Sequence, residues 1–387
     1  MTAAEAPAGA GGLLARAEAA LPGGPAWIGL APGRINVIGE HTDTIGGLAL
    51  PTGVDRWAVV RLRPRVDGRV CIRALDLDER FGFDAGARPD PPSGWARTMA
   101  GAVVVCHEAF GLPPGGFDAV VTGDVPRGGG MSSSAALCVA WVNALAAWAG
   151  RALDTLEAAT LAQRVEHEWS GVPCGLLDQI SSQGSRAGRL LRVDFRGPSI
   201  RTVPASMEGF AWLVLDTGVR RALASSAYGQ RVQEVGEALR RVQERRPGVH
   251  FRDLRPEDLA RGDLLDRRLR HGVTENARVD AVVRLLAAGD LAGVGEALGD
   301  SHASLRDDLE VSCPQLDSLA DAAASQAGCL GARMMGGGFG GCVLALVRDD
   351  DAPAVADRAR AEHARRFADR TAAAVVRGVD GARGWCS

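Results

Sequence analysis

Apolar residues recur along this chain in blocks whose spacing separates helices from strands. Leu14–Ala20 reads as a short helix. Ala26–Val37 is an apolar segment broken by Pro32 and Gly33, and it runs on into Gly39, Glu40 and His41. Trp57–Leu62 and Arg69–Ile72 alternate with the strand period, and Phe117–Thr122 is a further β-type run ended by Gly123-Asp124-Val125-Pro126. Trp95–Phe110 has helical spacing. A second apolar helix follows the serines at 132–134 and runs to Trp148, where Gly150 closes it; a third spans Ala158–Trp169.

Past Phe195 the texture changes. Trp212–Leu215 is a strand, Tyr228–Arg245 a helix charged on one face, and Pro256–Arg261 a polar connection. Helices follow near Ala277–Ala287 and Leu291–Asp308. A glycine block then feeds the strand Cys342–Val347, before the helix Ala352–Phe367 and a terminal strand at Ala373–Val376. No fixed-period repeat is present. This order predicts an α+β chain of two domains, 1–198 and 199–387, with the boundary in 195–205.

Composition narrows the chemistry. The 387 residues are 46% hydrophobic, enough for two or three buried cores. A net charge of −3, from 44 basic and 47 acidic residues, argues against nucleic acid or a membrane surface as partner. None of the 44 basic residues is lysine. A Walker-type loop, the strand lysine of protein kinases and Schiff-base catalysis are therefore excluded. Phosphate would have to be met by Arg, backbone N–H groups and a metal ion. The eight cysteines form no CxxC pair and mostly sit among apolar neighbours, as core thiols of a reducing compartment do. No charge-free apolar stretch reaches the ~18 residues of a membrane span, and Met1–Gly12 lacks a signal pattern. The expectation is a soluble, cytoplasmic protein.

Four stretches carry candidate chemistry. In Val125-Pro126-Arg127-Gly128-Gly129-Gly130-Met131-Ser132-Ser133-Ser134-Ala135, glycines admit close approach of an anion and the serines open a helix. A helix N-terminus carries roughly half a positive charge, so the loop is a phosphate cradle without lysine, and a serine hydroxyl there can ligate Mg²⁺. The loop lacks the second glycine of a hydrolase elbow, so no serine nucleophile is indicated. Gly336, Gly338 and Gly341 spell GxGxxG, but a strand-like run follows instead of a helix. A glycine turn lying close to a ligand or to the first domain fits better. The third stretch, Ala31 to Asp43, gathers Arg34, Glu40, His41 and Asp43 among apolar residues and glycines, where they must pair with each other or with a polar ligand. The fourth is Cys174-Gly175-Leu176-Leu177-Asp178-Gln179, preceded by Glu166-His167-Glu168. His167 has no second His four residues on, so a zinc-protease reading fails.

Taken in order, these stretches resemble the GHMP kinases, and among them the galactokinases. Gly33 to Asp43 is similar to the galactokinase signature, Val125 to Ala136 to the family's phosphate loop, and Gly331 to Cys342 to its third motif. Cys174 to Gln179, Ser225 to Tyr228, Thr274-Glu275-Asn276 and Asp380 to Arg383 also sit where galactokinases have similar residues. The resemblance implies a two-domain α+β fold with the active site in the cleft between domains, ATP and Mg²⁺ as co-substrates, and phosphoryl transfer to a sugar's anomeric hydroxyl. It implies Asp178 as the base or hydroxyl-orienting group with Arg34 beside it. Glu40, His41, Asp43, Gly175 and Tyr228 would line the sugar. Gly128, Gly129, Gly130, Met131, Ser132, Ser133, Ser134, Gly337 and Gly338 would meet ATP, with Ser133, Ser134 and Glu166 as Mg²⁺ ligands. A monomer or weak homodimer acting on a small-molecule sugar is implied.

The chain departs from that pattern in places. Thr44 and Ile45 stand where galactokinases usually have Tyr-Asn, Ala227 replaces an acidic residue, and Thr98 and Leu309 replace tyrosines. Arg220-Arg221 stands where one basic residue and a His are common. Drift in an arginine-rich, tyrosine-poor protein is one account. A changed acceptor is another: Arg221 could hold the phosphate of an extended sugar, such as the octose 8-phosphate of lincosamide antibiotic assembly. A third alternative, a non-catalytic sugar and ATP sensor, is opposed by the complete serine loop.

Overall fold

Trp27–Asn36 (β1) is buried along nine consecutive positions. Pro32, which has no N–H to give, is accommodated because the register against the neighbouring strand shifts between Pro32 and Gly33. The break read from sequence is thus a bulge inside one strand. The computed structural model describes residues 6–91, 94–219, 224–259, 263–368 and 370–387. Its other strands are β2 (Leu48–Ala49), β3 (Pro51–Pro64), β4 (Arg69–Ala74), β5 (Glu79–Asp84), β6 (Gly116–Gly123), β7 (Arg189–Asp194), β8 (Ser199–Pro204), β9 (Phe210–Asp216), β10 (Cys329–Met335), β11 (Cys342–Arg348), β12 (Ala372–Val376) and β13 (Arg383–Cys386). Its helices are α1 (Gly11–Ala20), α2 (Trp95–Phe110), α3 (Ser133–Trp148), α4 (Thr155–Val165), α5 (Leu177–Gly184), α6 (Ala224–Arg245), α7 (Leu264–Ala288), α8 (Leu291–Asp307), α9 (Pro314–Ala324) and α10 (Ala352–His363).

The strands form a six-stranded sheet, β13-β1-β3-β6-β4-β5, a four-stranded sheet, β10-β11-β9-β12, and a three-stranded sheet, β2-β7-β8. Pairing is antiparallel except between β4 and β6. α3 is apolar nearly all round and is correspondingly buried, packing on β1, β3 and β13 as well as on α2, α4 and α5. The approach to β1 is so close that a β-carbon on Gly29 would lie 1.9 Å from the Ala140 carbonyl oxygen. That proximity brings the N-terminus of α3 beside the far end of β1, where the chemistry gathers. In the second half of the chain, α9 and α10 cover one face of the four-stranded sheet, while α8 packs on β10 and α7 on α6 and α8.

Several elements differ from the sequence expectation. α4 stops at Val165, and Glu166–Ser170 is a π-helical turn rather than a continuation to Trp169. α7 starts at Leu264, well before Ala277, because its first turns bury Arg268, His271 and Glu275. Buried charges there hide the apolar period. α10 ends at His363, short of Phe367. β2, β5, β7, β8, β10, β13, α5 and α9 add to the elements read from sequence. The β7–β8 hairpin turns at 195–198, where the chain's texture changes, and β13 returns to pair with β1. Among the described residues, no helix is long and apolar enough to cross a membrane.

Candidate active site

Three segments converge at the end of β1. Arg34 follows the bulge, the glycine–serine loop joins β6 to α3, and Asp178 sits in the first turn of α5. Asp178 Oδ1 accepts a hydrogen bond from Arg34 Nε at 2.8 Å and pairs ionically with Nη2 at 2.7 Å, and Oδ2 accepts from the Ser132 hydroxyl. Arg34 is nearly enclosed, whereas about a third of the Asp178 side chain remains accessible. The pair thus fixes a carboxylate that still faces open space.

The loop is held by its carbonyls. Arg34 donates through Nη1 to the Gly130 oxygen and through its backbone N–H to that of Met131, while the Cys342 thiol donates to that of Gly129. Ser132, left-handed at φ +56°, precedes α3 but does not cap it with its hydroxyl, which is committed to Asp178. The first amides of α3 are therefore left for an anion.

Asp178 and Arg34 open onto a cavity of about 240 Å³ that also contains Glu40, His41, Asp43, Gly175, Tyr228 and Gly336–Gly338. Every sugar residue expected from sequence lies here except Arg221, which falls outside the described residues. Gly337 and Gly338, expected at ATP, line this same cavity. Burial and the neighbouring Asp178 and Glu40 push the Asp43 carboxyl up to about 6. A β-carbon on Gly175 would come within 1.9 Å of Asp43 Oδ2, so any side chain at 175 must displace the Asp43 carboxylate. Burial and the nearby His271 push His41 down to about 3, so its ring is neutral. That ring bonds the Gly337 backbone, its buried Nε2 has no protein partner, and its centroid lies 5.2 Å from that of Tyr228. An unmet nitrogen in a cavity wall is what a ligand hydroxyl would satisfy.

Glu40 is more constrained than its neighbours. Oε2 accepts from Asn36 Nδ2 and Arg333 Nη2, each at 2.6 Å, and Oε1 accepts from the Gly336 amide at 2.6 Å. Both lone pairs of Oε2 are thus taken and only Oε1 keeps one for a ligand, so the carboxylate mainly ties β1 to the glycine turn after β10. Sequence reading missed the side chains behind it. Arg333, fully buried, donates to the carbonyls of Asn36 and Val37, and Glu275 and His271 of α7 bond the backbone at Gly39 and Glu40. Arg333 and Glu275 stood inside family-like stretches, which was the only signal available, and His271 carried none.

A second cavity, of about 310 Å³, opens on the other side of the loop and is walled by Trp95, Thr98 and Met99 of α2, by Leu77, and by Ser133 and Ser134. Next to the loop, Glu166 bonds the Ser134 hydroxyl and accepts from Gln179 Nε2, and burial pushes its carboxyl up. Ser134 and Glu166 supply hard oxygen donors, and among the described residues no larger acidic or His/Cys cluster forms. Such a sparse set suits Mg²⁺, which binds through one or two protein oxygens together with phosphate and water.

Comparison with known proteins identifies the family. Residues 97–184 match the family described as GHMP kinases N terminal domain, and 282–365 that described as GHMP kinases C terminal. The fold and its two halves thus define a GHMP kinase. Residues 20–64 match the galactokinase galactose-binding signature. A galactokinase of Roseiflexus is 40% identical over 328 residues, covering 82% of each chain. The human galactokinase is 38% identical over 337 residues, covering 84% of each. The crystal structure of Lactococcus lactis galactokinase complexed with galactose aligns with a TM-score of 0.87 at 32% identity, over 92% of this chain and 94% of that one. The chain belongs to the galactokinase family. These relatives favour neither the extended phosphorylated sugar nor the non-catalytic sensor.

Proposed function

We propose that the protein is an ATP-dependent sugar 1-kinase that transfers the γ-phosphate to the anomeric hydroxyl of galactose. The observation that carries this reading is the sharing of Asp178 between Arg34 and Ser132, at the point where the 240 Å³ cavity meets the N-terminus of α3. Galactose occupies that cavity, its hydroxyls met by Asp43, the free Nε2 of His41 and the remaining lone pair of Glu40 Oε1. The triphosphate lies along Gly128–Ser134, with the base in the cavity beside Trp95. Gly337 and Gly338 close the junction between sugar and phosphate.

Asp178 orients the C1 hydroxyl and takes its proton as the new P–O bond forms and the bond from the γ-phosphorus to the β,γ-bridging oxygen breaks, with ADP leaving. Arg34 fixes that carboxylate and offsets charge on the transferring group. Ser133, Ser134 and Glu166 would hold Mg²⁺, which when bound neutralises charge on the phosphates. The two domains, 1–198 and 199–387, contribute the phosphate loop and the third glycine motif respectively, and the enzyme works in the cytoplasm as a monomer or weak homodimer. Phosphorus NMR of the product from MgATP and free galactose tests the proposal. An anomeric phosphate is expected; turnover only of a longer or phosphorylated sugar would overturn it.

A further inference from the structure

The segment that carries His41 and Asp43 has no regular structure of its own beyond a single 3-10 turn at Asp43–Ile45. Gly39 and His41 both adopt left-handed backbone, at φ +96° and +57°. A left-handed non-glycine residue persists only where the surroundings impose it. The imposing groups come from α7. Glu275, fully buried, accepts through Oε1 from the amides of Gly39 at 2.9 Å and Glu40 at 3.3 Å, and from the Ser301 hydroxyl at 2.8 Å. Its Oε2 accepts from Arg278 Nε at 2.7 Å, and the surrounding cations hold its carboxyl down at about 2. The next residue, Asn276, accepts through Oδ1 from the Leu48 amide at 2.8 Å. One turn earlier, His271 Nε2 lies 3.0 Å from the Glu40 carbonyl.

We propose that Glu275 and Asn276 are positioning residues for sugar recognition. Adjacent on one helix, they grip the two ends of the 39–48 loop and thereby aim His41 and Asp43 into the cavity. Neither reaches the reacting atoms, so their removal weakens sugar binding while sparing transfer. The inference rests on the sugar assignment above only for its kinetic readout. Its structural readout is amide exchange across residues 37–50 of the unliganded protein.

Glu275→Gln keeps the shape but can serve only one side of the original pair, Gly39 or Arg278, because one of its two heads is now a donor. Expected are faster exchange confined to 37–50, a rise of roughly tenfold in the KM for galactose, and little change in kcat or in the KM for ATP. Asn276→Ala, which leaves the Glu275–Arg278 pair intact, should shift the same quantities by less. Unchanged exchange at 37–50 in folded Glu275→Gln overturns the proposal, whatever the sugar. Altered exchange there with no rise in the KM for galactose overturns it too. If the wild-type protein ignores galactose, the acceptor assignment fails, while the exchange measurement still decides the clamp.

Discussion

Asp43 occupies the space that a side chain at position 175 would need, with Oδ2 only 1.9 Å from where the Gly175 β-carbon would stand. The contact joins the loop after β1 to the segment leading into α5, so the sugar-facing carboxylate and Asp178 are placed by one packing decision. Gly175→Ala must push Asp43 aside. The KM for galactose should rise about 10- to 100-fold, as misplacement on the ångström scale does, while the KM for ATP and the melting temperature stay near wild type. Steady-state kinetics with each substrate varied in turn checks this. Equal changes in both KM values would place the damage elsewhere.

Asp178→Asn retains the volume and an acceptor for Ser132 but removes the charge and the site that takes the proton. A fall of about 10²- to 10⁴-fold in kcat is expected, the range of general-base contributions, with galactose binding largely kept. Isothermal titration with galactose, run beside turnover measurements, separates the two. Arg34→Ala should lose kcat as well and also loosen the glycine loop, because the same guanidinium bonds the Gly130 carbonyl.

Much of this site was legible in the sequence. The limits of α2 followed from spacing alone, and the charged residues between Arg34 and Asp43 stood out against apolar surroundings. Their convergence with Asp178 and Tyr228 could be inferred only through family resemblance, since residues so far apart along the chain carry no local signal of contact. Glu275, His271 and Arg333 escaped notice because a buried charge inside a helix or strand looks, in sequence, like a surface charge. Several of their partners are backbone groups, which leave no mark in the sequence. β7 and β8 were missed for a related reason: Arg189, Arg192 and Arg201 interrupt their apolar alternation, and pairing with one another and with β2 compensates.

The raised carboxyl of Asp43 sets a pH profile. If Asp43 accepts a sugar hydroxyl as the carboxylate, kcat/KM for galactose should fall below pH 6 by about tenfold per unit. His41, held down at about 3, contributes nothing to that limb. Stability runs the opposite way. The folded protein binds this proton more tightly than the unfolded chain, so the Asp43 contribution grows as pH falls from about 6 towards the model-peptide value of 3.8 and is unfavourable above. Asp43→Asn should therefore raise the melting temperature at pH 7–8, by an amount equivalent to at most about 3 kcal/mol, and the gain should vanish near pH 4. The same variant should lose affinity for galactose at neutral pH. A variant no more stable than wild type at pH 8 would show that Asp43 is not strained by its neighbours.

Arg333 and Glu40 make the strictest demand on the fold. The guanidinium is fully enclosed, the carboxylate nearly so, and every donor of Arg333 with an assigned partner meets an oxygen of Val37, Asn36, Met334 or Glu40. Removing one member leaves the other buried without its counter-charge, which typically costs about 3–5 kcal/mol. Arg333→Met preserves much of the volume, so the loss is electrostatic and hydrogen-bonding rather than a cavity. It should lower the unfolding free energy by that amount, read as a lower denaturant midpoint. Pairing the change with Glu40→Gln removes the stranded charge, so the double variant should be more stable than Arg333→Met alone. Chemical denaturation of the three variants at pH 7 measures the coupling directly. Strictly additive losses would mean that Arg333 acts through the β1 carbonyls alone, and that the carboxylate of Glu40 is held for the sugar instead.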